Sequence, residues 1–300
     1  MLPRVKTSDP RAVERYVERI FRSHYPREDF GPIHQTFVDV AAMFAGCFPG
    51  YQACDMTYHD LEHTLQGTVA LTHLLDGMNR APDGLFLSSS FFVLGTAAIL
   101  LHDSGYLKEI GDIPGTGAKY TITHVDRSMD FAERYLALRR HLSPDLNAVR
   151  HMIHCTGFFV DTNKIPFQSE PEKMIGFALG TADLLGQMAA PNYLEELDGL
   201  YEEFHECVET EGPAAGVLAA YKSPDDMRAK TPQFFHGYVM RLLVNQWGSV
   251  YRFMERPLRS SKNPYLQAIK AHIRKLTAQI QRPARPKPRA QRRVSKQRKK

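Results

Sequence analysis

The chain has 300 residues and a mass of 34.1 kDa, with 43% hydrophobic and 24% charged residues. These proportions exclude a wholly disordered, collagen-like or disulfide-scaffold protein and allow one large domain or two small ones. The formal charge of +5 conceals a split: residues 282–300 hold ten Lys or Arg and no acid, whereas the other 281 residues carry 28 basic against 33 acidic groups.

The longest nearly apolar run, residues 91–101, is too short to span a bilayer, so no membrane helix is expected. The opening Met1-Leu2-Pro3-Arg4-Val5-Lys6 has no apolar h-region, so no secretory leader is expected either. Cys47, Cys54, Cys155 and Cys207 form no Cys-x-x-Cys pair, which fits a reducing, cytoplasmic setting.

In chain order, residues 11–24 alternate apolar and charged side chains at helical spacing, and residues 33–48 are more apolar. Leu61, Leu65, Val69, Leu74, Leu75 and Met78 form one helical stripe. Residues 88–101 are apolar nearly all round, the pattern of a central helix. Helices are predicted over 126–142, 145–156, 170–187, 193–210, 232–247 and 250–280. The acids of the 193–210 segment are read as a solvated face. No sustained period-two alternation occurs, so the predicted fold is all-α, a single bundle of roughly nine to eleven helices. The tail from Arg282 onward combines prolines with like charges and cannot bury enough surface to order itself. It is expected to be a disordered basic extension. Its role is either that of a solvated appendage or of a non-specific contact with nucleic acid or an acidic surface.

Three features carry chemistry. Tyr58-His59-Asp60-Leu61-Glu62-His63 sets two imidazoles four residues apart, one helical turn. Leu101-His102-Asp103-Ser104-Gly105-Tyr106 ends the apolar helix with an adjacent imidazole and carboxylate, and a buried Asp needs a positive partner such as a divalent cation. Asp183 lies in Gly180-Thr181-Ala182-Asp183-Leu184-Leu185-Gly186, an acid beside the core-facing stripe of Ile175, Leu179, Leu184 and Met188. Each feature also has an ordinary structural reading: a capping histidine, a chance His-Asp dipeptide, a helix-interior Asp satisfied by a hydrogen bond.

The order His63, His102-Asp103, Asp183 on separate helices resembles the HD-domain metal-dependent phosphohydrolase superfamily over residues 50–250, and Tyr58-His59-Asp60-x-x-His63 is similar to the Tyr-His-Asn-x-x-His signature of its cyclic nucleotide phosphodiesterase branch. The resemblance implies an all-helical metal-binding domain over 51–281, with helices of 1–50 packed on it and the tail at 282–300. It implies that His63, His102, Asp103 and Asp183 bind a metal, that Asp103 reaches a second metal, and that His59 is a general acid rather than a ligand. The cofactor implied is one or two divalent ions among Zn, Mg, Mn and Fe. His124 is the candidate further ligand to the second metal. Of His151 and His154 the second is preferred, although Thr156 sits near where a ligand His is often found, and a helix-surface role is the alternative for either. Asp60 stands where that branch has Asn, which sets a carboxylate next to His59. Gln233 in Thr231-Pro232-Gln233-Phe234-Phe235 loosely resembles the branch's base-holding Gln, against the alternative of a plain helix start.

The implied activity is hydrolysis of a small, nucleotide-like phosphate ester, such as a cyclic nucleotide phosphodiester, by a metal-activated water. Two alternatives stand beside it. One is a di-iron oxygenase of the same superfamily, which needs six protein ligands. The other is a non-catalytic regulatory module on the same fold.

Overall fold

Short polar residues ahead of apolar runs start most of the helices. Asp9, Asp60, Ser88, Asp145, Ser169 and Ser223 each accept a backbone N–H of the first turn, a cap worth about 1 kcal/mol. The structure is a computed structural model that describes residues 2–82, 86–139, 145–158, 160–258 and 262–280.

Among these residues the chain forms ten α-helices and no β-strand. They are α1 (Pro10–His24), α2 (Gly31–Phe44), α3 (Leu61–Asn79), α4 (Ser89–Leu101), α5 (His124–Ala137), α6 (Leu146–His154), α7 (Glu170–Ala189), α8 (Tyr193–Glu211), α9 (Pro224–Phe234) and α10 (Pro264–Ile280). The all-α expectation is met. The basic tail, 282–300, lies outside the described residues.

α3 and α4 are the innermost elements. Nearly every side chain from His63 to Met78 is buried, and so are Leu94 to Leu101. Packed apolar side chains run without interruption from Val13 on α1 to Ile273 on α10, so the N-terminal helices share the core of the rest. Each fully buried Leu, Ile or Phe contributes about 1.5–3 kcal/mol. α7 crosses α3 at very short range: a Cβ on Gly186 would lie 3.0 Å from the Gln66 carbonyl oxygen. That approach brings the middle of α7 against the first turns of α3.

Three elements depart from the sequence reading. The helix predicted to begin at Pro232 begins at Pro224, because Ser223-Pro224-Asp225-Asp226 supplies a cap, a proline at the first position and first-turn acids. Pro232 lies inside α9, and the chain beyond it widens into π turns at Phe235–Val239 and Leu242–Gln246. The predicted 250–280 helix is a 3-10 segment, Val250–Leu258, and then α10, which restarts at Pro264 with the Asn263 side chain accepting the Tyr265 and Leu266 N–H groups. α5 ends at Ala137, short of the expected 142; residues 140–144 lie outside the described set. No described helix is long and apolar enough to cross a membrane, and the four cysteines are unpaired.

Candidate metal centre

Two helices, α3 and α7, and the turn that follows α4 deliver the predicted ligands to one place. Asp60 caps α3 by accepting the His63 backbone N–H at 2.9 Å, which fixes His63 in the first turn. His102 follows the last residue of α4, and its Nδ1–H donates to the Ile99 carbonyl at 2.7 Å, leaving Nε2 as the free nitrogen. Asp103 comes next. Gly105 lets the chain turn beneath α5, since a Cβ there would lie 2.0 Å from the His124 carbonyl oxygen. Asp183 enters from mid-α7 across the short α3–α7 crossing.

His63 Nε2 lies 3.1 Å from Asp103 Oδ2 and 3.3 Å from Asp183 Oδ1, and His102 Nε2 lies 3.2 and 3.5 Å from the same two oxygens. All four side chains are buried. Burial alone would push the His63 ring down, but the Asp103 and Asp183 carboxylates outweigh it and raise the ring to about 10. Burial likewise works against the charged Asp103 carboxyl, yet His102 and His63 hold it well below the usual carboxylate range; the same two rings do so for Asp183. Two carboxylates thus draw protons onto two imidazoles in an interior that would otherwise exclude charge.

A divalent cation fits this donor set. His63, His102 and Asp103 can each offer an atom within 4.8 Å of the others, and Asp183 adds a second carboxylate. His102 Nε2 and Asp103 Oδ2 are buried with no hydrogen-bond partner although they face each other. Orphaned buried polar atoms are costly, and a cation would satisfy both. Two imidazole nitrogens with two carboxylate oxygens suit Zn, Mn or Fe.

The neighbouring residues sort themselves clearly. His124 begins α5, its Nδ1–H donates to the Thr121 carbonyl at 2.7 Å, and its Nε2 lies 3.9 Å from Asp103 Oδ1. Tyr106 stacks between His124 and His59, with ring centroids at 4.4 and 4.7 Å. His154, the preferred further ligand, ends α6 half-buried and is not among the described residues that line the cavity beside the cluster, because the helix turns its apolar side inward. His151 is occupied by Glu172 at 2.6 Å and does not line the cavity either. Thr156 does.

His59 sits just ahead of the Asp60 cap, with its ring 5.1 Å from that of His63 and facing the cavity. The carboxylate that holds it is Glu203 of α8, not Asp60, which is engaged in capping. Glu203 is 3% exposed. Its Oε2 accepts His59 Nδ1–H at 2.5 Å, and its Oε1 accepts the backbone N–H groups of Tyr58 at 2.6 Å and His59 at 3.1 Å. The reading of the α8 acids as solvated therefore fails at this residue. A signal existed: Glu203 lies three residues after Leu200 and four before the buried Cys207, on the inward side of α8. Gln187, also unforeseen, accepts the Tyr58 hydroxyl and donates to Asp183 Oδ1 at 3.2 Å, tying a ligand to the wall.

The cluster forms the floor of a cavity of about 470 Å³. Gln233 and Phe234 stand in its wall, as the sequence suggested, and Gln233 is exposed. A family model described as Npun_R2479-like matches residues 112–252. The match takes in His124, Asp183, Glu203 and Gln233 and leaves out His59, His63, His102 and Asp103. No curated protein and no solved structure matches the chain.

Proposed function

We propose that this protein is a metal-dependent phosphohydrolase of the HD-domain type that cleaves a phosphate ester at the cluster of His63, His102, Asp103 and Asp183. The convergence of those four side chains from α3, the end of α4 and α7, with His59 beside them, is the observation that carries the reading. A divalent cation bound there supplies an acidified water and draws charge from phosphoryl oxygens.

The chain's own residues account for the rest. Asp103 and Asp183 bring the negative charge that holds a cation, and Gln187 keeps Asp183 turned toward it. Glu203 takes the Nδ1–H of His59 and so leaves Nε2 to deliver a proton to the departing oxygen. Apolar side chains make up most of the walls, and a low-dielectric surrounding strengthens each electrostatic interaction.

The oxygenase alternative asks for six protein ligands. The described residues supply five, His124 included, because neither His151 nor His154 reaches the cavity. That difference favours the hydrolase. The test is metal analysis of the full chain followed by phosphate release from a panel of monoesters and diesters, cyclic nucleotides included. Oxygen uptake by iron-loaded protein with no ester cleavage would select the oxygenase. Metal-replete protein inert in both assays would leave the regulatory module.

A further inference from the structure

The cavity above the metal-binding cluster carries a charge and polarity pattern that narrows the substrate. Among the described residues lining it, Lys230 is the sole lysine or arginine. Its Nζ is already engaged, at 2.6 Å from both the Asp226 carboxylate and the Ala220 carbonyl. No arginine is among the described residues lining the cavity to receive a second phosphate. A chain of phosphates would bring several negative charges into a wall whose described residues offer no free cation, and unpaired buried charge is expensive.

Hydroxyl-bearing substrates fare little better. Thr121, Thr156 and Thr231 line the cavity, but each hydroxyl donates to a nearby backbone carbonyl, Ala118, Ile153 and Met227 respectively. Gln187 is spent between Tyr58 and Asp183. Gln233, Tyr193, Tyr221 and Tyr238 add polar atoms, and most of the remaining lining is apolar. Leu184, Met188, Leu197, Leu218, Leu242 and Trp247 form part of the deep wall. Phe234, Tyr238 and Phe158 make a row of near-parallel rings, 5.4 Å apart at 25° and 6.1 Å apart at 17°. Aromatic side chains of this kind favour contact with a planar body. The volume falls in the ~300–1,000 Å³ range of small-molecule sites.

Resting on the phosphohydrolase reading, we infer that the substrate is a single-phosphate ester of a flat, apolar alcohol or phenol, rather than a sugar phosphate or a nucleoside polyphosphate. The phosphate would sit over the cluster and the ring against the Phe234–Tyr238–Phe158 row. Hydrolysis balances with water alone. A bond forms from water oxygen to phosphorus, the bond from phosphorus to the ester oxygen breaks, and one proton goes to that oxygen.

The test uses the full chain loaded with Mn²⁺ or Zn²⁺. Phosphate release is followed from 1-naphthyl phosphate, glucose 6-phosphate, AMP and ATP. In parallel, calorimetry measures binding of 1-naphthylmethylphosphonate, which has no ester bond to break. The inference expects kcat/KM for 1-naphthyl phosphate to exceed that for glucose 6-phosphate and ATP by about 100-fold or more. Val217 lines the cavity and is 47% exposed, so Val217→Lys should fold normally. It should narrow the gap to ATP by roughly 10-fold by adding the missing cation.

Equal turnover of ATP or glucose 6-phosphate would overturn the inference and leave the hydrolase reading intact. Tight binding of the phosphonate with no turnover of any ester would overturn the hydrolase reading while the apolar pocket stood. Failure of the phosphonate to bind metal-loaded protein would overturn the inference.

Discussion

Glu203 offers the sharpest single perturbation. Its carboxylate is buried and accepts three hydrogen bonds, two from backbone N–H groups and one from the ring of His59. Removing it altogether, as in Glu203→Ala, strands those donors at about 1–3 kcal/mol each, so a loss of about 3–5 kcal/mol of stability is expected. Glu203→Gln separates structure from chemistry. The amide oxygen can still serve both backbone groups, so stability should fall by only about 1 kcal/mol. The amide presents an NH2 donor where Oε2 accepted the ring Nδ1–H, and a charge-assisted bond is worth about 1.5–3 kcal/mol. That corresponds to roughly a 10- to 100-fold loss in turnover of an ester with a poor, alkoxide-like leaving group. p-Nitrophenyl phosphate, whose leaving group needs no proton, should be nearly unaffected. The assay is the ratio of the two rates in wild type and variant, together with urea midpoints. An unchanged ratio in a well-folded Glu203→Gln protein would refute the acid role of His59 and its dependence on Glu203.

Three further predictions follow the same logic. His59→Ala should retain the metal, as judged by elemental analysis, and lose about 10²–10⁴ in rate toward poor leaving groups; unchanged turnover of such an ester would exclude it as the acid. Gly105→Ala should cost about 3 kcal/mol or more, because the new methyl meets the fixed backbone of α5 at the His124 carbonyl; an unchanged denaturation midpoint would show that the turn beneath α5 is not tight. His73 is buried with neither ring nitrogen partnered, and burial holds it down to about 4. Its folded value lies below the unfolded 6.5, so the unfolded chain takes up the proton first and stability falls as pH drops from 6.5 toward 4, by up to about 3 kcal/mol. His73→Leu should flatten that slope, and identical acid slopes in the two proteins would contradict the assignment.

Helical periodicity carried most of the architecture, because α3, α4 and α7 are buried on nearly all sides and their apolar residues leave little choice of structure. The four candidate ligands were legible for a related reason: a carboxylate inside an apolar helix, as at Asp183, or at the end of one, as at Asp103, needs an explanation that a surface acid does not. Glu203 was hidden because α8 carries many acids, and only the inward register of one distinguishes it from its solvated neighbours. His154 misled because spacing alone cannot say which side of α6 faces the cavity; that is fixed by how α6 packs on α4 and α7. The widened turns after Pro232 follow a proline lodged inside a helix whose true start, Pro224, lies eight residues upstream of the apparent one. The apolar, cation-poor wall gathers residues from α7, α8, α9 and both π turns, a convergence with no local sequence signature.

The central claim is that His63, His102, Asp103 and Asp183 hold one cation in common. Metal content by elemental analysis, measured on the full chain purified with no added metal and again after titration with Mn²⁺ and Zn²⁺, tests it most directly when wild type is set beside His63→Ala, Asp103→Asn and Asp183→Asn. The account predicts at least one tightly held divalent ion per chain in wild type and loss of that ion in all three variants while helical circular dichroism is kept. Wild-type protein that binds no divalent ion, or variants that keep a full equivalent, would contradict it.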